Sequence, residues 1–229
     1  MSIKGLAGLK QIKKEIADRR EAMNQKVEWF TLKNKPEGAV VRFLQEFDED
    51  GVNYDSTKGV VLVTVEHQAP GKEGWKARAA CTKESEDRCF ACEMNAKEPG
   101  KGWKQKHLMY INVYDESEPD KDKRVKVLSR NINNSFVDFM VGWYEETSSI
   151  TQNSFKLKQT GEGFNTSWTP TPTKLSDVDV NSLELYDLEK VAVRHVPYDE
   201  QEAYYNRVLV DEPMTEAEKK EATDALDWA

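Results

Sequence analysis

The sequence predicts an α+β protein, mainly β: a small Greek-key barrel carrying one inserted module, with helical and acidic ends. Three observations predict it. Short runs rich in β-branched and apolar residues recur between turns made of Asp, Gly, Pro and Lys. A single amphipathic helical pattern falls before the last of these runs. All three cysteines crowd into one window with a histidine, reading His67, Cys81, Cys89, Cys92 as H-x13-C-x7-C-x2-C.

In chain order, residues 3–26 read as an amphipathic helix with Leu6, Leu9, Ile12, Ile16 and Met23 on one side and seven cations elsewhere, from Lys4 to Lys26. The runs AVVRFLQEF (39–47) and GVVLVTVEH (59–67) read as strands parted by a turn-rich segment. The second is almost wholly apolar, the pattern of a strand buried on both faces. APGKEG (69–74) is a turn by composition and GWKARAAC (74–81) the returning strand, so a hairpin should bring His67 near Cys81. Residues 89–98 read as a knuckle leading into a short helix closed by Pro99-Gly100. Strands follow at 107–115 and 123–130. Ile132, Phe136, Phe139, Met140 and Trp143 place one apolar face on a helix within 131–147. SFKLKQT (154–160) alternates as a short strand, whereas 161–174 reads as a polar Pro/Gly loop. Residues 176–210 mix helix and strand signals. Thr215 and Glu218 form a capping box for a last acidic helix. The expected organisation is a basic N-terminal helix (1–30), a core (31–210) holding a module at about 67–98, and an acidic tail (211–229). Five or so strands with a helix before the last fit an oligonucleotide-binding (OB) type of barrel, and also other α+β sheets.

The His/Cys window carries the strongest chemistry. Three thiols and an imidazole complete a tetrahedral set for one Zn²⁺, and a two-residue gap lets one tight turn aim two sulfurs at one ion. Four protein ligands favour a closed, structural site over a catalytic one, which keeps a position open for water. Disulfides fit an odd count of thiols poorly. The alternatives are three buried free thiols, or His107 in place of His67. With three thiolates the loaded centre carries a formal charge of about −1, so Lys76, Arg78, Lys83 and Arg88 beside the ligands would ease its formation.

Composition narrows the class further. The 229 residues carry a net charge of −8, distributed unevenly. Residues 1–130 hold 25 Lys+Arg against 22 Asp+Glu, and residues 131–229 hold 8 against 19. Such asymmetry accompanies nucleic-acid binders with acidic tails, and equally a domain with a solvated acidic edge. The N-terminus lacks the apolar run of a signal peptide or anchor and no stretch reaches membrane-spanning length, so a soluble protein in a reducing compartment is expected, with no membrane partner. No Walker loop, G-x-S-x-G, H-E-x-x-H or G-x-G-x-x-G occurs, and an enzyme is not expected.

Around the cysteine window, cations and rings alternate: Trp75, Lys76 and Arg78, then Trp103, Lys104 and Lys106, then Tyr110 and Tyr114. Binding of single strands needs this pairing, cations to track phosphates and flat rings on which any base can stack. Tyr110 and Tyr114, an even number apart on one strand, could equally line the core. The ring residues in polar loops, Trp103, Phe164 and Trp168, are the better stacking candidates.

These residues resemble a known family. The zinc ligands, the V-V-R-F-L strand at 40–44 and F-K-L-K-Q-T-G-E-G-F at 155–164 are similar to the single-stranded DNA-binding, helix-destabilising proteins of T-even-type phages. The similarity spans roughly 38–170. It implies an OB-fold with an inserted His–Cys–Cys–Cys zinc site at His67, Cys81, Cys89 and Cys92. It places Arg42 on the first barrel strand in the DNA cleft, sets Trp75, Tyr110, Phe164 and Trp168 near aromatics lining that cleft, and puts Lys104 and Lys106 in a basic segment after the zinc module. It further implies a non-enzymatic role in phage-type DNA replication, recombination and repair, inside the infected host's cytoplasm. Neighbouring copies would meet through 1–26 and replication or recombination proteins through 211–229. Two departures stand out: a longer basic helix replaces the family's compact N-terminal motif, and the acidic tail is short. The competing readings are a zinc-stabilised protein-interaction adaptor and an unrecognised nucleic-acid enzyme.

Overall fold

Among the described residues, seven strands form one sheet in the order β3-β2-β4-β1-β6-β7, with β5 attached to β4 off that path. The strands are β1 (Ala39–Phe43), β2 (Leu62–Gln68), β3 (Arg78–Ala80), β4 (Gln105–Asp115), β5 (Val125–Asn131), β6 (Ser154–Thr160) and β7 (Ser167–Thr173). The helices are α1 (Lys83–Glu86), α2 (Phe90–Lys97), α3 (Ser135–Thr147), α4 (Leu188–Val191) and α5 (Tyr198–Leu209). The computed structural model describes residues 27–71, 74–103, 105–161 and 166–209. The expected helix at 3–26, the capping box at Thr215, and the site candidates Lys104 and Phe164 lie outside the described residues.

The chain divides into two compact units. One comprises 27–64 with His107–Val193, the other Val65–Lys106 with 194–209. The expected module at 67–98 therefore falls in a unit of its own, which also recruits a helix from about a hundred residues downstream.

In the first unit, β1 sits between β4 and β6 because both of its edges pair. Val41 lies opposite Asp115 on one side and Phe155 on the other. Alternation along β1 sends Ala39, Val41 and Phe43 inward, where they meet Ile111, Val113, Leu128, Phe155 and Leu157. Helix α3 closes this core with Phe136, Val137 and Met140. Its start is fixed by the Asn134 side chain, which accepts from the Phe136 N–H at 3.0 Å, and its end by Ser148 in the left-handed region. One buried carboxylate pins the chain just after α3: Glu46 accepts from Ser149 Oγ (2.5 Å), Thr151 Oγ1 (2.6 Å) and the Ile150 N–H (2.8 Å).

The barrel expectation is corrected to an open sheet. All registers described are antiparallel, but among the described residues β5 pairs only with β4 and the single bridge Trp29–Val127, while β7 pairs only with β6. Side chains rather than backbone bonds bring these ends together. The Arg130 guanidinium lies 3.1 Å from the centre of the Trp168 ring, and Phe30 meets the same indole edge-on at 5.5 Å. Two prolines explain why no ladder forms. Pro170 and Pro172 lie opposite Leu157 and Phe155 in a register whose intact β6–β7 bonds leave their nitrogens facing outward, so β7 has few outer donors to offer another strand.

Two other expectations change. Residues 167–173, read as loop from their Pro and Thr content, are strand β7, a pairing decided by β6 and invisible to local composition. The run at 59–67 is not buried on both faces: Val63 in β2 is 58% exposed.

Replacing Glu46 by Ala removes the shared acceptor of three buried donors, of which only one hydroxyl can turn to its neighbour, and should cost about 3 kcal/mol, read as a lower midpoint in a denaturant titration with unchanged slope.

Candidate metal centre

The four donors converge within the second unit. Nε2 of His67, or its other ring nitrogen, and the sulfurs of Cys81, Cys89 and Cys92 all lie within 4.8 Å of one another. Cys92 Sγ is 3.2 Å from His67 Nε2 and 3.6 Å from Cys81 Sγ. A tetrahedral ion with Zn–S near 2.3 Å and Zn–N near 2.05 Å needs separations of about 3.5 Å and 3.8 Å between those atoms. The spacing therefore fits one such ion, and the donor set, three soft thiolates with one imidazole, suits zinc. His67, not His107, completes the group.

Each ligand is positioned by a local device. Antiparallel pairing sets His67 opposite Ala79, and the Cys81 N–H continues the ladder to the Val65 carbonyl at 2.8 Å, so the hairpin delivers the first two donors. The turn between them is tight: a Cβ on Gly74 would stand 1.8 Å from the Ala69 carbonyl oxygen, which no side-chain-bearing residue can meet. Cys89 caps α2 and Cys92 lies in its first turn. A C-x2-C gap thus places both sulfurs at the positive end of a helix dipole, where thiolates are favoured. The loop from Cys81 to Cys89 is closed by Thr82, whose Oγ1 donates to the Arg88 carbonyl at 2.6 Å.

The surroundings tune these donors. His67 is fully buried, and its Nδ1 lies 3.0 Å from the Trp103 carbonyl. A carbonyl only accepts, so Nδ1 carries the proton and the Nε2 lone pair is free for an ion, the usual outer-shell arrangement of a metal histidine. Gln105 Nε2 approaches Cys92 Sγ at 3.4 Å. Burial, then the neighbouring thiols, push Cys92 up to about 12, and burial raises Cys81. At Cys89 burial acts the same way, but bonds from His67 and from the backbone of Cys92 and Thr82 outweigh it and bring the thiol down to about 6. Three thiols this close cannot all ionise without a cation among them.

Of the cations expected to neutralise the centre, Arg78 and Arg88 are engaged elsewhere. Arg78 pairs with Glu66 at 2.8 Å. Arg88 pairs with Glu93 at 3.0 Å, stacks on the Tyr198 ring and also donates to its hydroxyl. Lys106 donates to Gln68 Oε1, and burial, then the charge of Arg78, lowers its pKa against the pull of Glu66.

Among the proposed DNA-facing residues, the structure separates two groups. Trp103, 3% exposed, is packed edge-on against Phe90 and Tyr205, and Tyr110 is fully buried. Neither offers a face to a base, which corrects both expectations. Trp103 lies in a loop with Lys and Gly neighbours, but the metal hairpin and α5 roof it over. Trp168 belongs to β7, with Arg130 across its ring. Trp75 is 63% exposed, with the Lys76 ammonium 5.7 Å from its ring centre. Arg42 donates Nη1 to the carbonyls of Val178 (3.0 Å) and Ser176 (3.4 Å) and lines a polar cavity of about 350 Å³ with Tyr54, Lys58 and Asn181.

Sequence reading missed α5. Gln201, fully buried, accepts from the Phe90 N–H (2.9 Å) and donates to Thr82 Oγ1 and the Val196 carbonyl (3.0 Å each). Tyr204 donates to the Arg78 carbonyl at 2.9 Å. The spacing of Tyr198, Gln201 and Tyr205, one helical face, was the available signal.

Comparison with protein-family models and with curated proteins finds no match for this chain. Among the described residues no helix is long and apolar enough to cross a membrane.

Zinc binding near neutral pH should release about two protons per ion, those of Cys81 and Cys92, because ligands bind deprotonated. Calorimetry in buffers of different ionisation enthalpy reads this number directly. As pH falls through the thiol range, protons compete with the ion and affinity should drop. Replacing Cys92 by Ser should abolish tight binding of one zinc per chain, measured by elemental analysis.

Proposed function

We propose that this protein binds single-stranded DNA with little sequence preference, does no chemistry on it, and serves phage-type replication, recombination and repair. The observation that carries the reading is Trp75: a largely exposed indole with Lys76 beside it, on a turn whose base is locked by Gly74 against Ala69 and by the His67–Ala79 pairing. An exposed ring next to a cation is what a sequence-tolerant stacking contact requires. In this reading zinc braces the hairpin that presents the ring. The Arg42–Lys58 cavity offers a second place for phosphate oxygens: the Arg42 Nε is buried without a partner, and burial lowers the pKa of this guanidinium despite the nearby Glu116. The resemblance to the T-even-type helix-destabilising proteins supports the same class. The OB-like lineage is part of this proposal, with the barrel left open at β5 and β7.

One observation favours a second reading, an interaction adaptor. An apolar groove of about 480 Å³ runs beside α3, lined by Phe47, Val63, Met109, Ile132 and Val141.

Fluorescence titration with single-stranded and duplex oligonucleotides across a salt series tests the proposal. Single strands should bind more tightly, and log affinity should fall by about 0.7 per log unit of salt for each phosphate contacted. Replacing Trp75 by Ala should cost about 1–3 kcal/mol of affinity with the zinc content unchanged. Replacing Trp103 by Ala should instead disrupt the fold of the second unit, seen as loss of cooperative unfolding. Equal affinity for duplex and single strands, or a Trp75 variant that binds as before, would favour the adaptor.

A further inference from the structure

Residues 175–187 cross the face of the first unit's sheet that lies opposite its apolar core. Val41 and Phe43 of β1 point into that core, so Arg42 between them points to the other face, flanked by Ser154 of β6 and Tyr114 of β4. The segment is fastened there strand by strand. The Ser176 N–H donates to Ser154 Oγ on β6 at 3.3 Å, and Arg42 Nη1 on β1 donates to the carbonyls of Val178 (3.0 Å) and Ser176 (3.4 Å). On β4, the Asn112 side chain donates to the Tyr186 carbonyl at 3.0 Å and accepts from the Tyr186 N–H at 3.1 Å. Lys58 adds a tether to Asn181 Oδ1 at 2.8 Å. The same segment supplies Leu175, Val180 and Asn181 to the wall of the Arg42 cavity.

Its hold is incomplete. None of its residues is buried, and segments with few buried contacts open locally at low free energy. Arg42 Nε and the hydroxyls of Ser176 and Thr173 are buried without a partner among the described residues. A guanidinium makes its strongest bonds to anions, forked onto carboxylate or phosphate oxygens, yet here Nη1 is given to two neutral carbonyls. The segment is also acidic: it contains Asp177, Asp179, Glu184 and Asp187 and no Lys or Arg, and all four carboxylates are exposed.

We infer that residues 175–187 form an acidic strap over a phosphate site at Arg42, and that a single strand must displace the strap to reach the guanidinium. The inference rests on the single-strand reading above and adds to it a competitor built into the same unit. While the strap is down, its carbonyls occupy Arg42 and its carboxylates repel phosphate. The affinity measured is then the intrinsic one scaled by the fraction of molecules whose strap is up.

Hydrogen exchange of the full-length protein, with and without saturating oligothymidylate, reads the strap directly. The Ser176 and Tyr186 amides, both bonded in the closed arrangement, should exchange faster in the complex. Asn181→Ala cuts the Lys58 tether without changing the charge. It should speed exchange at both amides in the free protein and tighten oligothymidylate binding by about two- to fivefold. Asp177→Asn combined with Glu184→Gln should tighten binding by about as much at low salt, and the gain should vanish at high salt. Taking the same charge from α3 with Glu145→Gln and Glu146→Gln should give a smaller gain. Equal gains from the two pairs, or exchange at Ser176 and Tyr186 that is unchanged or slower in the complex, overturns the strap while leaving single-strand binding in place. If wild type binds no oligothymidylate at any salt, the single-strand reading falls and the strap with it.

Discussion

Four donor atoms, three of them sulfurs, are held within 4.8 Å of one another by elements drawn from a hairpin, a helix N-terminus and the loop between them. Without a cation the arrangement is frustrated: burial and the neighbouring thiols push Cys92 up, while bonds from His67 and the backbone hold Cys89 down. With a divalent cation the same crowding becomes the source of stability. Structural zinc contributes on the order of 10–16 kcal/mol, as much as an entire small domain possesses. The second unit has a small core. Four of its buried core residues are alanines, Ala69, Ala77, Ala79 and Ala91, and its apolar mass comes from a few rings, chiefly Trp103, Tyr204 and Tyr205.

The first unit is built on the opposite principle. A continuous apolar core joins β1, β4, β5, β6 and α3, and its buried charges are individually answered: Glu46 by two hydroxyls and an N–H, Asp115 by Lys35 at 2.6 Å and Lys126 at 3.0 Å. Arg130, like the Nε of Arg42, is less well answered. Its Nε and Nη2 are buried without partners, and burial draws its pKa down to about 10. What it has is the face of Trp168, a cation–π contact whose strength grows as the guanidinium is desolvated. That contact does for the two ends of the sheet what backbone bonds would do in a closed barrel.

Aromatic residues therefore divide between two tasks. Phe90, Trp103 and Tyr205 fill space around the metal ligands, and Phe30, Phe136 and Trp168 fill the gap between sheet ends. Trp75 does neither. It follows a turn pressed so closely on Ala69 that only glycine fits at 74, and its indole is largely exposed.

The sequence by itself determined the ligands, because tetrahedral coordination demands a particular set of atoms and a C-x2-C gap is a local property of a helix start. It determined most strands and α3, since the period of apolar residues is written locally: 154–160 is a strand to the residue, and 131–147 contains the helix. Tertiary structure alone decided which rings face water. Trp103 and Trp75 have similar neighbours in the chain, yet one is roofed over by α5 and the other is not, and burial depends on residues a hundred positions away. It also decided that 167–173 is a strand, because only the open edge of β6 could overrule two prolines. The bracing role of Gln201 was hidden for the same reason: the Phe90 N–H and the Thr82 hydroxyl that it holds lie about a hundred residues away in the chain.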